Sequence, residues 1–262
     1  SEGTLGVLTK ITLKLLPLPA KIGTVMAYFK DIDSALNTAD SIIIKNHLHP
    51  RSLEFVDKVC IDAVRGSAGK EIPEEAEAFL LIDVDGNEKN VANDISRIDA
   101  LCSENSALKT SIAKTDDERD ALWDVRKSVS TSLFKIALMK SNDDFCVPRS
   151  KVREVLERVY ELSKTYSIQV AASGHIGEGH IHLNVIYNDG KEMDLSVHKL
   201  VSQILKEVVS IGGTITSEHG VGDAKAEFVE LELAPHEIEI MKDLKKMFDP
   251  KGIMNPGKIF IR

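Results

Sequence analysis

Two short glycine-rich stretches concentrate the donor groups of this sequence. The first runs Gly174-His175-Ile176-Gly177-Glu178-Gly179-His180-Ile181-His182-Leu183-Asn184, and the second is Ser217-Glu218-His219-Gly220. Glycines at 174, 177 and 179 make a tight turn whose backbone a ligand can approach closely. Beyond the turn, Ile181, Leu183 and Val185 alternate with His180, His182 and Asn184, which predicts a strand with one apolar and one polar face. His182 and Asn184 therefore point the same way, with His175 at the other end of the turn. Two imidazoles and the Glu218 carboxylate offer a divalent transition metal three ligands and leave positions open for substrate or water. His219, beside that carboxylate, stays free for proton transfer. A lone histidine in such a turn is usually surface decoration. A second cluster of the same chemistry, in a second glycine-rich turn, favours function instead.

The rest of the chain must position these groups. Strands are expected at 7–16, 23–29, 52–56, 78–84, 109–113, 144–147, 168–172 and 181–187. Helices are expected at 31–45, 58–64, 87–104 and 116–134, from a start near Pro148-Arg149-Ser150 through 164, at 195–211, and up to Phe248 before Asp249-Pro250. Leu122, Val125, Val129 and Leu133 make one helical stripe, which reads as core packing. The helices are too few and irregular for a barrel. An α+β fold fits better, an antiparallel or mixed sheet with helices on one face, built from two split βαβ halves.

Composition narrows the function classes. The 262 residues suffice for one large domain or two modest ones, and 43% hydrophobic with 28% charged residues is ordinary for a globular protein. A net charge of −8 gives no basic footprint for nucleic acid, so no nucleic-acid partner is expected. No apolar run approaches the roughly 18 residues of a transmembrane helix. Cys60, Cys102 and Cys146 form neither a disulfide framework nor a CxxC site, which points to a reducing compartment, the cytoplasm or, in a eukaryote, the mitochondrial matrix. The chain opens at Ser1 directly into a strand-like run, which reads as a stretch cut from something longer, with no leader in front.

Five islands carry a resemblance across the whole chain: Ser1-Glu2-Gly3-Thr4-Leu5-Gly6, Leu122-Trp123 with Arg126, Val147-Pro148-Arg149, the His-Gly turn, and Ser217-Glu218-His219-Gly220. With Asp249-Pro250 and Asn255-Pro256-Gly257-Lys258, they make the sequence similar to the C-terminal part of FAD-linked 2-hydroxy-acid dehydrogenases of the vanillyl-alcohol-oxidase type. That group includes the glycolate oxidase catalytic subunit, D-lactate dehydrogenase and D-2-hydroxyglutarate dehydrogenase; some relatives are named actin-interacting protein. The resemblance implies a ferredoxin-like cap domain. Residues 1–20 would close the FAD-binding domain, 21–234 would form the substrate domain, and 235–262 would be a helix and tail returning to the flavin. Family metal ligands fall on His175, His182 and Glu218, and substrate contacts on Arg126, Asn184 and His219, with Ser130 where some members have Thr. Gly3, Leu5, Gly6 and Asn255 match positions that touch FAD. Most of the cofactor site would precede Ser1, so this length of chain would be inactive alone. Two departures stand out. The usual turn reads Gly-His-x-Gly-Asp-Gly-Asn, whereas Glu178 and His180 replace its Asp and Asn here, and the 140–144 loop lacks the usual Lys just before an acidic residue.

The implied chemistry is oxidation of a small D-2-hydroxy acid (glycolate, D-lactate or D-2-hydroxyglutarate type). Arg126, by default a surface charge on its helix, would clamp the carboxylate with its planar fork. A metal, zinc first with manganese or iron as alternatives, would take the hydroxyl and lower its pKa. His219 would accept the proton. The hydride acceptor would be a flavin, since nothing forms a nicotinamide fingerprint. The electron acceptor beyond it (a quinone, an iron–sulfur protein or an electron-transfer protein) is not named by the sequence. Apolar surface at 7–16 and around Ile259-Phe260-Ile261 is expected to be exposed, with self-association as a homodimer covering it. Two other classes stay open: a flavin-independent metal-binding or protein-interaction module, and a metal-dependent hydrolase with His219 or Glu178 as base.

Overall fold

The computed structural model describes residues 1–65, 72–188 and 191–260. Its strands are β1 (Lys21–Phe29), β2 (Ser52–Asp57), β3 (Ala78–Gly86), β4 (Ala107–Ile112), β5 (Met139–Cys146), β6 (Gln169–His175) and β7 (His180–Tyr187). The helices are α1 (Ile32–Asp40), α2 (Lys58–Val64), α3 (Glu88–Glu104), α4 (Asp116–Lys127), α5 (Val129–Ser132), α6 (Val152–Tyr166), α7 (Lys191–Ser210), α8 (Val229–Glu232) and α9 (Pro235–Phe248). All seven strands join one antiparallel sheet in the order β4-β1-β3-β2-β6-β7-β5.

That order contains the two halves expected from the sequence. In the first, β1-α1-β2 and β3-α3-β4 interleave as 4-1-3-2, the split βαβ arrangement. In the second, β5-α6-β6 encloses β7, and a Cys146–Thr214 bridge after α7 stands where a fourth strand would be. The halves meet where β2 pairs with β6, with Glu54 opposite His175 and Val56 opposite Ser173. The candidate groups gather around this seam.

One sheet face packs against α1, α3, α6 and α7 through Leu36, Ile98, Leu156 and Leu205. The other is partly covered by α2, α4 and α5, where Leu122, Val125, Val129 and Leu133 are each about 1% exposed beside Met26, Val56 and Leu81. Helices therefore lie on the second face as well as the first. This second layer matters, because α4 carries Arg126 over the polar end of the seam. Thr115 caps α4 by accepting from the Glu118 amide, and Asp116, Asp117 and Glu118 load its first turn. Arg126 and Lys127 occupy the last turn, where the helix dipole favours cations.

Four expectations need correction. Residues 7–16 form no strand: Val7, Leu8, Ile11, Leu13, Leu15 and Leu16 are 66–85% exposed and pair with nothing among the described residues. The strand placed at 144–147 is β5, which starts at Met139. The apolar end of the tail is not exposed: Ile259 is 8% exposed and Phe260 packs on the core, while Ile261 lies outside the described residues. The expected 116–134 helix is also interrupted, because α4 ends at Lys127 and α5 restarts at Val129. Among the described residues, no helix is long and apolar enough to cross a membrane.

Candidate active site

The two glycine-rich turns bring their donors together. His175 ends β6, His182 lies on β7, and their Nε2 atoms are 3.3 Å apart. Glu218 Oε1 is 3.9 Å from each of them. Tetrahedral ligands at about 2.0–2.1 Å from an ion lie roughly 3.3 Å from one another, so the three donors need only small side-chain adjustments to share one. His219 Nε2 is 3.6 Å from the same Glu218 oxygen, and its ring stacks on His182 with centroids 5.7 Å apart.

Two carboxylates that sequence reasoning missed stand behind the imidazoles. Glu54, 2% exposed on β2, meets His175 Nδ1 at 2.5 Å. Asp144, 5% exposed on β5, has Oδ1 3.1 Å from His182 Nδ1, and its Oδ2 lies against His219 Nδ1. A carboxylate on the far nitrogen fixes the tautomer and turns the other nitrogen towards a ligand position. Asp144 thereby aims two rings at once. Glu54 also accepts from Arg126, whose Nε and Nη2 are both 3.0 Å from its Oε2. The outer Nη1/Nη2 edge of the guanidinium remains available for a carboxylate fork. Trp123 steadies this part of α4 by donating to Asp83, at 3.0 Å.

Charged side chains hold the second turn. Glu2 accepts from the Val221 and Gly222 amides, both at 2.7 Å, and Glu232 accepts from the Ile215 amide at 2.8 Å. The buried Lys225 donates to the Ile215 carbonyl at 2.8 Å and to the Asp144 carbonyl, tying the turn to β5. Two glycines are obligatory for shape. Gly179 has φ +80° and an added Cβ would stand 1.9 Å from the Val147 carbonyl oxygen; Gly220 has φ +78° and its Cβ would meet Glu2 at 2.6 Å.

A cavity of about 200 Å³ opens beside His182, lined by Arg126, Ser130, Asn142, Asp144, Asn184 and His219. Asn184 is 5% exposed, and its Oδ1 is a buried acceptor without a hydrogen-bond partner. An orphaned buried acceptor in a cavity wall suits a ligand hydroxyl or a coordinated ion. Ser130 borders the same space and accepts from Lys140 Nζ at 2.5 Å. A wider cleft of about 510 Å³ reaches Glu218 and His175 from the side of His49, Arg51 and Trp123.

Electrostatics keep two rings neutral. Burial is the main cause lowering both His180 and His182 to about 4, reinforced by His182 beside His180 and by Arg126 beside His182. His175 is moved the other way, above its ordinary value, chiefly by its hydrogen bond to Glu54. An unfolded histidine titrates near ~6.5. Between that value and about 4 the unfolded chain takes up protons that these two rings refuse, so their contribution to stability is lost as pH falls through this window. The His175 contribution has the opposite sign: it is complete below the unfolded value and lost as pH rises through the raised one. Without metal, wild-type Tm should therefore fall from pH 6.5 to 4 more steeply than that of His180→Asn. Parallel Tm curves would show that the ring protonates freely in the fold.

Two of the residues matched to flavin contacts, Gly3 and Asn255, also meet, although about 250 positions separate them. Asn255 Nδ2 donates to the Glu2 carbonyl, and Gly3, at φ +71°, has its α-carbon facing the Asn255 side chain. Lys245 ties both ends together, donating to the Thr4 and Met254 carbonyls at 2.7 Å each. Leu5 is half-buried and Gly6 exposed beside this knot.

A duplicated split-βαβ sheet thus gathers two carboxylate-backed histidines, a third carboxylate and a half-buried arginine at its seam. The chain belongs to the family of FAD linked oxidases, C-terminal domain, whose model matches residues 18–259. It is 34% identical over 263 residues to the glycolate oxidase subunit GlcD of Bacillus subtilis, covering 100% of this chain and 56% of that protein. It is 30% identical over 268 residues to the D-lactate dehydrogenase of Anaerostipes hadrus, covering 99% and 56%. The chain thus spans about half the length of these relatives. The fold is shared with p-cresol methylhydroxylase (TM-score 0.68, 12% identity, 94% of this chain and 54% of that one). It is also shared with alkyldihydroxyacetonephosphate synthase (TM-score 0.65, 15% identity, 97% and 48%).

Proposed function

We propose that this chain is the substrate- and metal-binding part of an FAD-dependent dehydrogenase that oxidises a D-2-hydroxy acid to the 2-oxo acid. One observation carries the reading: His175, His182 and Glu218 face one point, beside a cavity that Arg126, Asn184 and His219 line. Family membership and the glycolate and lactate enzymes among the relatives support it.

The donor set fits a divalent ion with mixed nitrogen and oxygen preference, zinc first and manganese or iron after it. When bound, such an ion supplies Lewis acidity that lowers the pKa of a substrate hydroxyl. The flavin, when bound, supplies the hydride acceptor. The protein's own part is positioning and proton transfer. Arg126, charged and held by Glu54, binds the substrate carboxylate with its outer edge. Asn184 offers its unpaired oxygen to the substrate hydroxyl before that proton leaves. His219, braced at Nδ1 by Asp144, presents Nε2 as the proton acceptor. Ser130, held by Lys140, shapes the wall where the substrate's remaining chain lies. Gly3, Leu5, Gly6 and Asn255 form one edge of the flavin site, and most of its contacts would come from the FAD-binding portion that relatives carry in their remaining length.

The test uses the full-length protein with its flavin. Under anaerobic conditions D-lactate, glycolate or D-2-hydroxyglutarate should bleach the flavin absorbance, and His219→Asn should slow bleaching by about 10²–10⁴-fold at unchanged flavin content. Tight metal binding without bleaching by any such acid would favour a flavin-independent metal module instead.

A further inference from the structure

The ring of His180 has no part in the reading above, yet it stands among the ligands. It opens β7, two residues before His182 and therefore on the same face, and is 4% exposed. Its centroid is 4.3 Å from that of His182 and 5.1 Å from that of His175. One donor atom from each of His175, His180, His182 and Glu218 can be chosen so that all four lie within 4.8 Å of one another. Ser217 Oγ is 2.6 Å from His180 Nε2, which holds the ring in place from the neighbouring turn.

We propose that His180 is a third nitrogen ligand, making a three-histidine, one-carboxylate site; this rests on the metal reading given above. Three imidazoles change which ion the site prefers. An Asn at this position could offer only a hard carbonyl oxygen, which suits manganese or magnesium, whereas a third imidazole favours zinc, cobalt and iron. The stable aqueous affinity order runs the same way, with manganese the weakest of these transition ions. Four protein donors would retain the ion more firmly, and such a set would still be compatible with a substrate hydroxyl, since catalytic zinc sites can expand beyond four ligands.

The experiment measures metal binding by this 262-residue chain, with zinc and manganese as probes and a chromophoric chelator as competitor. His180→Asn should weaken zinc by about 100-fold and manganese by less than about tenfold, so the zinc-to-manganese preference collapses. Ser217→Ala, which removes only the support, should weaken zinc by about tenfold. X-ray absorption of the zinc-loaded wild type should require three imidazoles in its first shell. That measurement needs no variant and so decides the matter even if His180→Asn fails to fold. Two imidazoles, or zinc affinity in His180→Asn within about threefold of wild type, would overturn the inference while leaving the metal reading intact. A wild type that binds neither ion would overturn the metal reading, and this inference with it.

Discussion

Glu54→Gln should be the most damaging single isosteric change in this chain. Glu54 is 2% exposed and serves two partners, the His175 ring at 2.5 Å and the Arg126 guanidinium at 3.0 Å. The amide preserves volume but removes the charge, leaving Arg126, only 13% exposed along its side chain, without a counter-ion. Breaking one side of a buried pair costs about 3–5 kcal/mol, because the remaining charge keeps its desolvation penalty. The same change frees the His175 ring from its fixed tautomer, which should weaken zinc by about 10–100-fold. It also removes the main cause raising His175, so the ring's stabilisation at low pH is lost. Urea unfolding without metal and zinc titration read the two effects separately. A loss below about 1 kcal/mol with unchanged zinc affinity would make Glu54 a bystander, since exposed pairs are worth that little.

The reach of the sequence can be judged from such residues. The histidine turn is legible because its signal is local: three glycines, then a two-residue alternation that puts His182 and Asn184 on one face. Glu54 is a lone acid in the apolar run Leu53-Glu54-Phe55-Val56, and its partner lies 121 positions away across the β2–β6 seam. No local period predicts that pairing, although a carboxylate among buried apolar residues is itself a signal worth following. Asp144 is hidden for a different reason. Met139-Lys140-Ser141-Asn142-Asp143-Asp144 is polar enough to resemble a loop, yet it pairs along β7 with Asp144 opposite His182. A strand that lines a site carries the site's polarity, so composition misplaces it. Residues 7–16 show the converse. Their alternation is adequate for a strand, but pairing is decided by tertiary context, and none of the described strands pairs with them.

Arg126→Lys should raise KM for the hydroxy acid by about 10–100-fold in the full-length, flavin-containing protein. Arg126 uses Nε and Nη2 to hold Glu54 and keeps its outer edge towards the cavity that His182, Asn184 and His219 share. A lysine retains the charge but has one nitrogen, which cannot satisfy Glu54 and a substrate carboxylate as a planar fork does. Charge-assisted hydrogen bonds are worth about 1.5–3 kcal/mol, and each ~1.4 kcal/mol is a factor of ten in binding. Lysine can still neutralise Glu54, so stability should fall less than in Glu54→Gln. Unlike loss of His219, loss of the fork should leave most of kcat, because the carboxylate contact is made in the ground state as well as the transition state. Steady-state kinetics, with flavin content and Tm as controls, separate these outcomes. An unchanged KM and kcat with a lowered Tm would assign Arg126 to holding α4 on β2 rather than to the substrate.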